Sequence, residues 1–76
     1  MNRNEILDKV ASIIREQLDY KGALVEETSF DELDADSLDL VEVIMAIEDE
    51  FSLTVDDDVV LSIKTIKDVV DYLESH

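Results

Sequence analysis

The chain has 76 residues and a mass of 8.6 kDa, enough for one domain and not for two. Twenty-one Asp and Glu stand against six Lys and Arg, a formal net charge of −15. That balance excludes the basic surface a nucleic-acid binder needs and attraction to anionic lipid. With no cysteine, and with its only histidine at the final position, His76, the chain has no material for disulfides, thiolate metal sites or histidine triads. No apolar run approaches the roughly 20 residues that cross a bilayer. Met1-Asn2-Arg3-Asn4 leads into a charged amphipathic stretch instead of a signal peptide, so a single cytoplasmic domain over residues 1–76 is expected. Leu, Ile, Val and Phe number 27 of the 76 residues, well above the roughly 20% below which disorder sets in. The chain folds, with a small core and carboxylate repulsion against it.

In chain order, Ile6, Leu7, Val10, Ala11, Ile13, Ile14 and Leu18 recur at helical spacing, which predicts a helix from Arg3 to Leu18. Asn2 with Glu5 reads as its capping box, and Lys21-Gly22 as its end, the sole glycine suiting a left-handed position. Residues 22–36 read as a long loop anchored by Leu24, Val25, Phe30 and Leu33, with Ser29 and Glu32 able to cap one turn. A second helix is predicted from Ser37 to Phe51, with Leu38, Val41, Ile44, Met45, Ile47 and Phe51 as its apolar stripe. Asp49 and Glu50 at its end oppose the helix dipole, and folding gives no reason for them. Val59 to Ile63 is too short for periodicity to choose strand or helical turn. Thr65 with Asp68 caps a last helix from Ile66 to about Glu74. The expected fold is all-α, a small four-helix bundle of three main helices and one short one, with a long first loop.

The charge is segregated. Residues 22–63 hold 14 acids and no base, and the two flanks hold seven acids and six bases. Solubility alone does not require that separation. The acids do not spell a calcium loop either. From Asp34 the fifth position is Leu38, the sixth Asp39 and the twelfth Met45, where an EF-hand needs a ligand, a glycine and a glutamate. Weak divalent binding by clustered carboxylates is expected, with no dedicated metal cage. A paired-carboxylate hydrolase needs a cleft around a sugar, which so small a bundle hardly encloses, so no catalytic residues are assigned. What stands out is Asp36-Ser37-Leu38-Asp39, a serine at a predicted helix start where free N–H groups face any phosphate attached to it.

Asp36-Ser37-Leu38-Asp39, Val41-Glu42 and Met45-Ala46-Ile47-Glu48-Asp49-Glu50-Phe51 resemble the acyl carrier proteins of dissociated fatty-acid synthesis, and the likeness extends more weakly over the whole chain. The resemblance implies that Ser37, between Asp36 and Leu38, takes a covalent 4′-phosphopantetheine from coenzyme A by a holo-synthase using Mg²⁺. The thiol absent from the sequence is then imported with the arm, and carries acyl chains as thioesters. It implies that Ile44, Ala46, Phe51, Val60, Ile63 and Ile66, with Leu38, Val41 and Met45, line a shelter for the acyl chain, the same residues also serving as core. Asp36, Asp39, Glu42, Glu48 and Asp49, with Val41 and Met45 among them, match the family's docking surface for basic patches on partner enzymes. Those partners are transacylase, ketosynthase, ketoreductase, dehydratase, enoyl reductase and acyltransferases, met by a non-catalytic monomer.

Two departures stand out against the family pattern. Asp34 occupies a position usually glycine, and Asp56-Asp57-Asp58-Val59-Val60-Leu61 lacks the frequent proline and carries more apolar residues than usual. A specialised acyl, aminoacyl or peptidyl carrier for polyketide, peptide or cell-wall chemistry is the alternative carrier role. An acidic interaction bundle without a prosthetic group is the alternative outside carriers.

Overall fold

Four helices account for most of the chain in a computed structural model that describes residues 2–75; Met1 and His76 lie outside the described residues. They are α1 (Arg3–Leu18), α2 (Ser37–Phe51), α3 (Asp57–Ser62) and α4 (Ile66–Glu74). The fold is all-α, and the ambiguous apolar patch at 59–63 resolves as the short α3 and its C-cap residue, Ile63. α1 packs against both α2 and α4, and α3 against α2.

Three of the four helix starts have a side-chain cap. Asn2 Oδ1 accepts the Glu5 N–H at 2.9 Å, one half of the expected capping box. Thr65 and Asp68 close a full box at α4. Asp36 and Asp39 close another at α2: the Asp36 carboxylate accepts the Asp39 N–H at 2.9 Å, and Asp39 reaches back to the Asp36 N–H at 3.4 Å. Such reciprocal bonds satisfy two N–H groups that a helix start leaves without partners. α3 has no side-chain cap bond and no fully buried residue.

The end of α1 departs from expectation. Asp19, not Gly22, adopts the left-handed conformation, with φ 52° and its N–H on the Arg15 carbonyl. Aspartate enters this region more readily than most residues, so the helix stops before the glycine is reached. Gly22 has no positive φ. A Cβ there would fall 2.5 Å from the Tyr20 hydroxyl, the movable end of a half-buried side chain.

The core gathers Ile6, Val10, Ala11 and Ile14 of α1, Val43, Ile44 and Ile47 of α2, and Ile66, Val69, Val70 and Leu73 of α4, closed by Leu24, Phe30, Val55 and Ile63. The α2 stripe divides differently from the sequence reading. Leu38, Val41 and Met45 are 67%, 43% and 59% exposed and lie on the outer side, because residues three, four and seven apart share a face. Val25 is likewise exposed and does not anchor the long loop, whereas Leu24 and Phe30 are buried.

Backbone pairing supplies what local pattern did not reveal. The loop lies against the start of α4, with Phe30 N–H on Lys64 C=O at 3.0 Å, Ile66 N–H on Thr28 C=O at 3.0 Å and Lys67 N–H on Glu26 C=O at 2.8 Å. Buried Thr28 is satisfied too, its Oγ1 accepting the Val25 N–H at 3.1 Å. Ser29 caps the expected single turn through the Glu32 N–H at 3.2 Å. The loop therefore delivers residues 34–36 to one place at the head of α2.

Candidate functional site

Ser37 is the first residue of α2 and is exposed. The turn before it runs through Asp34 in the left-handed region, with φ 56°, and its N–H bonds to the Asp31 carbonyl at 3.1 Å. Aspartate thus holds the turn where the family usually has glycine. The Asp36–Asp39 box then sets the first turn of the helix, so the serine hydroxyl projects from fixed backbone.

An open cleft of about 490 Å³ lies beside it, lined by Ser29, Phe30, Asp31, Ala35, Asp36, Ser37, Leu40, Ile63 and Lys64. Ile63, expected along an acyl shelter, lies here. Lys64 arrives from 27 positions along the chain, and sequence distance had hidden it. The clearest advance signal for it is indirect: Lys64 is the first base after the acidic window. An exposed hydroxyl at the edge of an open cleft has room for a phosphodiester, and the helix N-terminus is electrostatically suited to one. The residues present fit a phosphopantetheine arm.

A second, smaller cavity of about 120 Å³ lies between α2 and α3, lined by Val41, Ile44, Met45, Glu48, Val55, Asp57 and Val60. It brings together Ile44 and Val60 of the expected shelter with Val41 and Met45. Val55, buried at the cavity wall, was not singled out from sequence. Ala46 faces elsewhere, onto a shallow outer depression with Gln17, Glu42, Met45 and Asp49. Phe51 is half-buried against the core and Ile66 fully buried within it.

The acids of α2 divide into two kinds. Glu42 and Asp49 are exposed. Asp36, Asp39 and Glu48 also hold structure: the Glu48 carboxylate accepts the Val55 N–H at 2.7 Å and tethers the connector to α3. Glu50, unexplained from sequence, pairs with Lys9 Nζ of α1 at 3.3 Å. Among the described residues no three His, Cys, Asp or Glu side chains converge as a metal-holding group.

A family model described as a phosphopantetheine attachment site matches residues 8–73. The chain belongs to this phosphopantetheine-bearing family, the acyl carrier proteins. It is 44% identical to the acyl carrier protein of Thermosynechococcus vestitus over 99% of this chain and 95% of the other. It is 42% identical to that of Lactobacillus acidophilus over 100% and 98%. The crystal structure of an acyl carrier protein from Thermotoga maritima superposes with a TM-score of 0.87 at 32% identity, covering 99% of this chain and 89% of that one. The family's prosthetic group is phosphopantetheine, and its members are carriers, not catalysts, which removes the bundle without a prosthetic group.

Proposed function

We propose that this acyl carrier protein serves fatty-acid synthesis in the cytoplasm as a monomer, with 4′-phosphopantetheine attached at Ser37. When bound, the arm supplies a thiol for thioester chemistry that the chain's own side chains lack. Ser37 provides the oxygen that links to phosphorus, and the Asp36–Asp39 box keeps that oxygen at the edge of the cleft. The acyl chain enters between α2 and α3, where Val41, Ile44, Met45, Val55 and Val60 replace water contacts at about 0.8 kcal/mol per buried methylene.

One observation carries the reading of partners. Leu38, Val41 and Met45 stand exposed in a row beside Asp36, Asp39, Glu42 and Asp49, an apolar strip framed by unneutralised acids. A basic enzyme surface with a shallow apolar centre complements it. Charge complementarity then raises the encounter rate without demanding slow release, as a carrier visiting several enzymes requires. Leu61, 82% exposed on α3, favours a second reading in which a specialised synthase reads α3 through an apolar contact.

Incubation with coenzyme A, Mg²⁺ and a phosphopantetheinyl transferase tests the attachment by intact mass. One arm is added to the wild type and none to Ser37→Ala; an unchanged wild-type mass, or a loaded Ser37→Ala, sinks the assignment. Reconstitution with fatty-acid synthase enzymes tests the pathway. Failure to support chain extension, with efficient loading by a polyketide or peptide acyltransferase, would favour the second reading.

A further inference from the structure

We propose that Lys64 is a positioning residue that holds the phosphodiester of the prosthetic arm beside Ser37. The inference rests on the carrier reading above and adds to it a role for a residue outside the Asp36–Asp39 segment.

The charged residues lining the cleft at Ser37 are Asp31, Asp36 and Lys64. Asp34 and Asp39 are also close in sequence to the serine. A phosphodiester attached there brings one more negative charge into this group. Unbalanced, it is pushed outward and the arm is left undirected. Lys64 is the one base lining the cleft, and both sides of its backbone are fixed. Its carbonyl accepts the Phe30 N–H from the long loop at 3.0 Å, and its N–H donates to the Asp68 carboxylate at 2.9 Å. Buried Ile63 precedes it and the α4 cap residue Thr65 follows it. Only the flexible side chain remains to adjust.

Its charge is also available. Arg3, Lys9 and Lys67 make ion pairs, whereas among the described residues Lys64 makes none, although Asp31 and Asp36 line the same cleft. A lysine is a compact point charge with three rotatable donors on a long stem, suited to an anion that moves with its arm. Phe30, Leu40 and Ile63 line the same cleft and would offer the arm an apolar surface beside that contact.

Side-chain NMR of the full chain tests this, comparing unloaded protein with protein whose loading is verified by mass. Asp31, Asp36 and Asp68 are present in both forms, so the difference isolates the arm. The Lys64 Cε and Hε resonances are expected to move on loading, with a nuclear Overhauser contact between Lys64 Hε and the arm's methylene next to the phosphate. The resonances of Lys67, already paired with Asp71, are expected to stay put, and 1 M NaCl to erase most of the Lys64 change. Separately, Lys64→Arg is expected to retain the wild-type difference in melting temperature between loaded and unloaded forms at low salt, and Lys64→Gln to lose its salt-sensitive part. A loaded protein whose Lys64 resonances do not move, or a Gln variant with the wild-type difference, overturns this proposal alone. Failure of the wild type to load overturns the carrier reading and this proposal together.

Discussion

The α1–α4 side of the molecule and the α2–α3 side are held by different means. At the first, a single guanidinium gathers three carboxylates from distant positions. Arg3 donates to Glu26 of the long loop, and pairs with Asp71 at 2.8 Å and Glu74 at 3.4 Å, both on α4. Hydrogen bonding from Arg3 holds the Glu26 carboxyl below the ordinary glutamate range, and the same contact raises Arg3. Between α1 and α4, Val10, Ile14, Ile66 and Val70 are fully buried. At the second side α3 has six residues, none fully buried, and α2 ends with no base in its last turn. Packing around Ile44 and Val55 and the Glu48 tether hold it. The clasped side serves as a frame, and the other is the wall that the proposed function asks to yield to an acyl chain.

The largest expected effect separates the two by cavity formation. Ile66→Ala removes a fully buried side chain and is expected to cost about 2–5 kcal/mol, a large share of the roughly 4–11 kcal/mol typical of a domain this long. Val60→Ala, half-buried on α3, is expected to cost under about 1.5 kcal/mol. Urea midpoints at constant slope measure both. Equal losses would mean that α3 is packed as firmly as α4.

Next is the clasp itself. Arg3→Met keeps the apolar stem and removes the charge, so stability at neutral pH should fall. A carboxyl depressed in the folded state adds stability above its unfolded pKa, and that contribution is lost as pH falls through the folded value. The wild type's advantage over Arg3→Met is therefore present at pH 7 and shrinks as pH drops below the ordinary glutamate range. Asp68, lowered mainly by the N–H of Lys64 and then by Thr65, follows the same sign in both proteins and cancels in the comparison. Denaturant titrations at pH 7 and pH 3 decide; a pH-independent difference would show that Arg3 acts by packing alone.

Most of the fold was legible in the sequence, because helices announce themselves locally. The bounds of α1 and α2, the Thr65–Asp68 box and the Ser29 turn all follow from periodicity and capping chemistry within four residues. What escaped depends on contacts that cross the chain. The Arg3 clasp, the pairing of Lys64 with Phe30 and the arrival of Lys64 at the cleft that Ser37 lines have no local signature. The division of α2 into buried Val43, Ile44 and Ile47 and exposed Leu38, Val41 and Met45 is set by where neighbouring helices lie, and a helix apolar on two faces does not specify which face turns inward. Asp36 and Asp39 stood out for their charge, and their cap bonds went unread.

That double duty gives a smaller effect that separates structure from docking. Asp36→Ala loses both cap and charge and should cost about 1 kcal/mol. Asp36→Asn keeps a good capping oxygen and loses only the charge. It should fold as the wild type does yet bind a basic partner more slowly at low salt, a difference that vanishes at high salt. Stopped-flow association rates read this directly. If the Asn variant associates at the wild-type rate, Asp36 belongs to the frame and not to the docking face.

The smallest effect concerns the acidic middle as a whole. Fourteen acids and no base occupy residues 22–63, and the Arg3–Glu26 and Lys9–Glu50 pairs bring neutralising charge to it from α1. With no converging metal-ligand group among the described residues, divalent ions are expected to gather there through the field of many carboxylates instead of a coordination cage. Millimolar Mg²⁺ should still raise the melting temperature above that in NaCl of matched ionic strength, because one divalent ion offsets two neighbouring charges where one sodium offsets one. The excess should stay below the roughly 4–8 °C that 1 kcal/mol represents in a domain of this size. Lys9→Gln should enlarge it by removing one of the neutralising partners. Equal shifts in the two salts would mean that the middle is merely screened, and that its charge acts on partners without straining the fold.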